Sequence, residues 1–453
     1  MIFQQYQLPC LSLFSYLVGD ERTGRAVVVD PQRDVSQYLE DAERHGLRIE
    51  RVIETHFHAD FLSGHLELQD ATGSVISYGE GATADFAIET LADGQRLPLG
   101  DVTLEVLTTP GHTPEAISIV VYDGDEPWGV LTGDTLFVGD VGRPDLLSSV
   151  GWDGDTLARH LYRSLHDKLL ALPDDVRVFP AHGAGSACGK NMSAATSSTI
   201  GEQRQTNYAL RPMSEDEFVA VVTEGQPVAP LYFPFAADAN RHAHELLDDR
   251  DRPAELGADD LERARADGAV VVDGRAPEVF ASGHVRGSIN VPLDGRFAEF
   301  AGDVVRPGQS IVLVADAGRE IESKVRFARI GFDRVLGAVT DVEAVLAEHE
   351  DLADVGQRLT ANDLASWKSD ALDLQVVDVR NPGELEGGVI DGSTSIPLPT
   401  LLDHLGDLDP ARPTVVYCQS GVRSSIAASL LRAHGFGDVA DLLGGYPAWR
   451  AAA

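Results

Sequence analysis

Four times in the first half of the chain, an apolar run gives way to a short loop bearing histidine or aspartate. Val52-Ile53-Glu54 leads into Thr55-His56-Phe57-His58-Ala59-Asp60-Phe61-Leu62-Ser63-Gly64-His65. Thr108-Thr109-Pro110-Gly111-His112 supplies the second loop, Val130-Leu131-Thr132-Gly133-Asp134 the third and Val178-Phe179-Pro180-Ala181-His182 the fourth. Loops at strand ends are where a rigid scaffold carries binding groups. His56, His58 and Asp60 alternate along one loop, so several ligand atoms can converge on one point. Imidazole nitrogens and carboxylate oxygens suit zinc and non-haem iron alike. One such histidine would be an ordinary solvated residue; a series of them points to a metal.

The series resembles the metallo-β-lactamase superfamily over roughly the first half of the chain, and the resemblance implies an αββα sandwich. The usual superfamily motif is His-x-His-x-Asp-His, and here Phe61 stands in its last position. Phenylalanine binds no metal, so a second site loses a ligand and one ion per chain is expected. Two ligand sets remain open. His56, His112 and Asp134 make the two-histidine, one-carboxylate triad of Fe(II) oxygenases, which leaves positions for substrate and dioxygen. His56, His58 and His112 would instead hold zinc and an activated water. The stretch Gly133-Asp134-Thr135-Leu136-Phe137-Val138-Gly139-Asp140-Val141-Gly142-Arg143-Pro144-Asp145 resembles persulfide dioxygenases more than glyoxalase II hydrolases. That resemblance implies Fe(II) on His56, His112 and Asp134, with His58, Asp60 and His182 as outer-sphere or second-site residues. Arg143, Lys190 and Arg204 are candidates for binding the carboxylates of a glutathione-like substrate. Cys188, close after His182, is a candidate to line the metal pocket and carry sulfur. His65 reads as a capping or surface residue.

The later half repeats itself. Val271-Val272-Asp273-Gly274-Arg275 matches Val376-Val377-Asp378-Val379-Arg380, so Asp273 maps to Asp378 at a shift of 105. Gly287-Ser288-Ile289-Asn290-Val291-Pro292-Leu293 matches Gly392-Ser393-Thr394-Ser395-Ile396-Pro397-Leu398 at the same shift. Two copies of one small α/β domain follow, each of common domain size. Both resemble rhodanese domains. In the second copy, Val415-Val416-Tyr417 ends in Cys418-Gln419-Ser420-Gly421-Val422-Arg423. A cysteine at a strand end, leading into a helix, sits where backbone N–H groups and the helix dipole favour a thiolate and hold an anion. Arg423 adds a fixed positive charge. The four residues between Cys418 and Arg423 make a loop sized for a terminal sulfur rather than for phosphate, which favours sulfur transfer through a Cys418 persulfide. Gln419, Ser420, Gly421 and Val422 form its cradle. In the first copy Val314 occupies the cysteine position, so that copy is expected to be inactive and to serve as a spacer, although Arg319 remains.

These readings divide the chain into a metal domain over 1–210, a partly ordered connector over 211–258 with its aromatics packed on a neighbour, a degenerate rhodanese domain over 259–350 and an active one over 358–453. A length of 453 residues accommodates them. The net charge of −36 argues against nucleic acid or an anionic membrane as partner. Arginine supplies nearly all the basic charge, since only Lys168, Lys190, Lys324 and Lys368 are lysines. High-salt adaptation and codon bias both remain open as its origin. Three widely separated cysteines, Cys10, Cys188 and Cys418, make no disulfide framework, and a reducing, cytoplasmic setting is expected. No apolar run is long enough to span a bilayer. Leu11–Val18 lacks a basic start and a cleavage site; it reads as part of a first hairpin rather than a signal peptide.

Motif by motif, the chain resembles a persulfide dioxygenase fused to a degenerate and an active rhodanese domain. The resemblance implies oxidation of a small thiol persulfide, of glutathione or coenzyme A type, by O2 at one Fe(II). It also implies sulfur transfer that makes or uses thiosulfate beside sulfite, within sulfide detoxification. A homo-oligomer is expected. A zinc glyoxalase II-type thioester hydrolase with an attached sulfurtransferase is the alternative.

Overall fold

Strands Ile2–Leu8, Leu13–Asp20 and Arg25–Val29 follow one another as antiparallel neighbours, with Leu8 opposite Leu13 and Asp20 opposite Arg25. Arg48–Ile53, Val75–Gly79 and Glu89–Leu91 extend the same sheet as parallel strands. A second six-stranded sheet runs in the order Ser198–Thr199, Arg177–Pro180, Glu126–Gly133, Ile117–Asp123, Val102–Thr108, Arg96–Pro98. The computed structural model describes residues 1–146, 151–370 and 373–452.

The two-residue period of a strand decides the layers. Tyr16, Val18, Val27, Val29 and Ile53 face Val106, Ile117, Ile119, Val121 and Leu131 between the sheets. Their neighbours Leu17, Val28 and Val52 point the other way, onto Tyr38 and Ala42 of helix Ser36–Arg44 and Leu68 of helix His65–Thr72. On the far side, Val120, Val130 and Val178 meet Ala158 and Leu161 of helix Gly154–Arg163. Both sheets are therefore apolar on both faces, which is what an αββα sandwich requires. The loops at the strand ends, which carry the histidines and Asp134, gather at one edge.

The chain forms two compact units, Met1–Pro227 with Phe233–Leu247, and Val228–Tyr232 with Asp248–Ala453. The expected connector over 211–258 is thus more structured than the sequence reading allows, and it is shared between the units. Ser214 and Glu217 form a capping box that starts helix Glu215–Thr223. Phe218, Val219 and Val222 of that helix enter the outer core of the first unit. Capping and helical spacing outweigh the Gln226-Pro227 turn signal that suggested a linker.

In the second unit the repeat appears as two parallel sheets of the same order. Ile289–Asn290, Val270–Asp273, Ile311–Val314 and Val335–Val339 form the first. Thr394–Ser395, Gln375–Asp378, Thr414–Tyr417 and Val439–Leu442 form the second, extended at the far edge by Gln357–Leu359. Each copy seals one buried ion pair. Arg275 grips Asp273 (2.7 Å), and Arg380 grips Asp378 (2.6 Å). Removing one partner of such a pair strands a charge in the interior. Arg380→Ala is accordingly expected to destabilise the second unit by about 3–5 kcal/mol. Urea denaturation followed at its tryptophans reads this directly, and an unchanged midpoint would contradict it.

No helix among the described residues is long and apolar enough to cross a membrane. No disulfide joins the three cysteines, all of which are buried.

Candidate metal centre and sulfur-transfer loop

His56, His112 and Asp134 are each about 2% exposed, and one ligand atom from each lies within 4.8 Å of the others. Asp134 Oδ2 stands 3.4 Å from His112 Nε2 and 3.9 Å from His56 Nε2. The hydrogen bonds behind the rings set their tautomers. His112 Nδ1 donates to the Arg143 carbonyl at 2.8 Å. Thr55 Oγ1 donates to Asp30 Oδ2, so it accepts from His56 Nδ1 at 3.0 Å. Both Nε2 lone pairs therefore point inward, as metal ligands require. His56 Nε2 and Asp134 Oδ2 are buried with no hydrogen-bond partner. Orphaned acceptors this deep are costly, and a cation at their centre removes the cost. The residues fit a metal ion.

Asp134 is fixed from behind. Its Oδ1 accepts from His182 Nδ1 at 2.7 Å, and His182 Nε2 lies 2.7 Å from Asp60 Oδ2. Burial opposes a charged imidazole at His182, but the carboxylates of Asp134 and Asp60 prevail and hold its pKa well above the ordinary value. Burial likewise raises Asp134, yet His182, His112 and His56 outweigh it and keep the carboxyl ionised. His58 takes no part in the triad: its Nε2 sits 3.0 Å from Asp30 Oδ1 and 3.6 Å from Glu54 Oε2. Gly142 packs against this centre so closely that an added Cβ would lie 1.9 Å from the Asp134 carbonyl.

Cys188 completes a second cluster with Asp60 and His182. Burial pushes its thiol well up, and Asp60 and Asp134 add to the effect. In the absence of a cation it stays protonated and is a poor nucleophile. The three basic residues expected to bind substrate have internal partners instead. Arg143 is 4% exposed and forks onto Asp145 at 2.6 and 2.7 Å while donating to the carbonyls of Ala187 and Pro227. Lys190 donates to the carbonyls of Val221 and Glu224 at the end of helix Glu215–Thr223, a cap for its dipole. Arg204 pairs with Asp174 at 3.2 Å and the Leu170 carbonyl. Each of the three charges is engaged by these protein partners in the structure. His65, expected at the surface, is fully buried and stacks on Phe86, because helix His65–Thr72 packs its first turn against the sheet.

In the second unit, Cys418 is buried at the end of Thr414–Tyr417. The Gly421 N–H donates to its Sγ at 3.1 Å, and Ser424 Oγ lies 3.6 Å away. Gly421 has φ +103° and starts helix Val422–Ala433, while Gln419, Ser420 and Val422 are exposed at the mouth. Arg423 forks onto Glu384, both contacts 2.7 Å. In the first copy Val314 is buried at the matching strand end, Arg319 pairs with Glu322 and Asp294, and the left-handed glycine is Gly318, φ +91°. Asp30, Glu54, Glu384 and Asn240 were not read from the sequence as site residues. Only Asp30, closing an apolar strand next to the metal loop in space, left a signal that could have been followed.

The metallo-beta-lactamase superfamily profile matches residues 8–182. Over 247 residues, 53% of this chain, the protein is 32% identical to the human persulfide dioxygenase ETHE1, mitochondrial, covering 87% of it. The chain belongs to the metallo-beta-lactamase superfamily. Its first half is homologous to the ETHE1 persulfide dioxygenases, and rhodanese-like domains match residues 257–339 and 360–452. This superfamily member is also similar to a crystal structure of a metallo-beta-lactamase from Staphylococcus aureus subsp. aureus COL. That match has 32% identity and a TM-score of 0.67, and covers 74% of this chain and 98% of that one. The cytoplasmic hydroxyacylglutathione hydrolase of Arabidopsis thaliana is 35% identical over 187 residues, 39% of this chain and 66% of its own length.

Proposed function

We propose that this protein oxidises a small thiol persulfide with O2 to sulfite at one Fe(II) and transfers sulfane sulfur through Cys418. The observation that carries the reading is the buried pair of orphaned ligand atoms, His56 Nε2 and Asp134 Oδ2, beside His112. Two histidines and one carboxylate are the donor set of Fe(II) oxygenases, and iron there supplies open positions for sulfur and dioxygen together with the redox chemistry. The protein's own residues set the stage. His182 and Asp60 hold Asp134 with one oxygen turned inward. Thr55 and the Arg143 carbonyl fix the imidazole planes. The apolar Phe61 ring, 4.3 Å from His58, keeps a second ion out.

Overall, a persulfide anion, O2 and water give the free thiol, sulfite and a proton. A persulfide on Cys418 then passes its outer sulfur to sulfite, forming thiosulfate and leaving the Cys418 thiol; the reverse charges Cys418 from thiosulfate. Joining both steps in one chain raises the local concentration of the shared intermediate. Similarity to the glutathione thioester hydrolase keeps a zinc hydrolase as the second reading. Metal analysis of anaerobically purified protein, paired with O2 uptake on glutathione persulfide, separates them. Iron with uptake is expected; zinc without uptake sinks the dioxygenase.

Phe61→His restores the ligand type that the superfamily motif carries directly after Asp60. Metal content is expected to rise from one ion per chain toward two, measured by elemental analysis after Zn(II) loading. A value that stays at one would show that something other than Phe61 limits the site.

A further inference from the structure

Asn240 lies some 180 positions beyond the metal loop and outside both family matches. It is fully buried, and its carboxamide is spent on that loop alone. Nδ2 donates to the carbonyls of His58 and Phe61, both at 2.8 Å, and Oδ1 accepts from the Ser63 N–H at 2.9 Å. Two carbonyls and one N–H leave a single orientation for the amide that satisfies all three. The residues after it continue across the same loop region. The Arg241 guanidinium covers the Phe57 ring at 4.1 Å. The N–H groups of Ala243 and Leu247 donate to Asp85 and Glu67.

The anchor points bracket Asp60. That residue holds His182, which holds Asp134, at 2.7 Å in each step. We infer that Asn240 is a positioning residue of the metal centre, clamping the 58–63 loop so that Asp60 and His182 set the inward oxygen of Asp134. This rests on the metal-centre reading above. A domain cut at the end of the superfamily match would lack the clamp. Outer partners of metal ligands typically govern affinity by 10–100-fold. Asparagine is needed because aspartate offers no donor to the two carbonyls and alanine offers nothing.

Full-length wild type, Asn240→Ala and Asn240→Asp are titrated anaerobically with Fe(II) against a competing chelator. Both variants are expected to bind roughly 10–100-fold more weakly, while iodoacetamide labelling of Cys418 stays as in wild type. Equal affinity in folded variants overturns the inference. Hydrogen exchange at the Ser63 amide of metal-free wild type needs no variant: protection equal to that of the sheet is expected, and exchange at the rate of an open loop overturns it. A wild type that takes up no Fe(II) removes the metal reading, and the exchange measurement still decides whether Asn240 clamps the loop.

Discussion

Cys418→Ser is expected to lower thiocyanate formation from thiosulfate and cyanide by more than a thousand-fold, while O2 uptake on glutathione persulfide is retained. Sulfane sulfur travels as an S–S bond, and a serine oxygen neither forms that bond nor ionises near neutral pH. Losing a nucleophile typically costs several orders of magnitude because the covalent route itself disappears. The rest of the loop would survive the change: the Gly421 N–H and Ser424 hydroxyl that meet Sγ can meet a hydroxyl equally well. A folding defect is therefore not expected to confuse the result. Retention of more than a tenth of the activity would move sulfur transfer to Cys188 or Cys10.

Asp134→Ala is expected to have the opposite signature: loss of bound iron and at least a thousand-fold loss of O2 uptake, with Cys418 chemistry intact. The substitution removes the only carboxylate of the triad. It also frees His182 Nδ1, so the imidazole keeps Asp60 alone as its partner. A cation would then face two imidazoles and no carboxylate of the triad. Asp134→Asn preserves shape and removes the charge, and it is expected to fail nearly as completely, since the charge rather than the volume recruits the ion. Iron content and oxygen-electrode traces on the two variants settle the matter. Full O2 uptake by either would exclude this triad as the reacting centre.

How far the sequence could be read depended on whether a residue's partner was local. His56, His112, Asp134 and His182 each lie in a loop that follows an apolar strand, and the strands gather those loops at one edge, so the cluster was visible as a series. Cys418 and Arg423 were visible because their loop is contiguous. The partners of the cations were not legible for the converse reason. The Lys190 partners are carbonyls at the end of a helix some 30 residues on. Arg143 could have been assigned to Asp145 two residues away, but its burial could not be foreseen. His65 was misplaced because the sequence does not reveal which face of a short helix meets the sheet. Asn240 lay in a stretch whose prolines and aspartates suggested a linker, and a carboxamide in a linker carries no signal of its own.

The shifted glycine in the first rhodanese copy has a chemical consequence. Gly421, third after Cys418, turns left-handed and offers its N–H to sulfur; the residue aligned with it is Ala317, and the left-handed turn has moved on to Gly318. Asp316 stands in the same loop, where its carboxylate would repel both a thiolate and an incoming sulfur oxyanion. Val314→Cys alone would thus install a thiol without a seat. On the proposed sulfur-transfer reading, the two rhodanese loops would together hold one cyanolysable sulfur atom rather than two, a loading capacity set by the backbone of the first copy as much as by its missing cysteine.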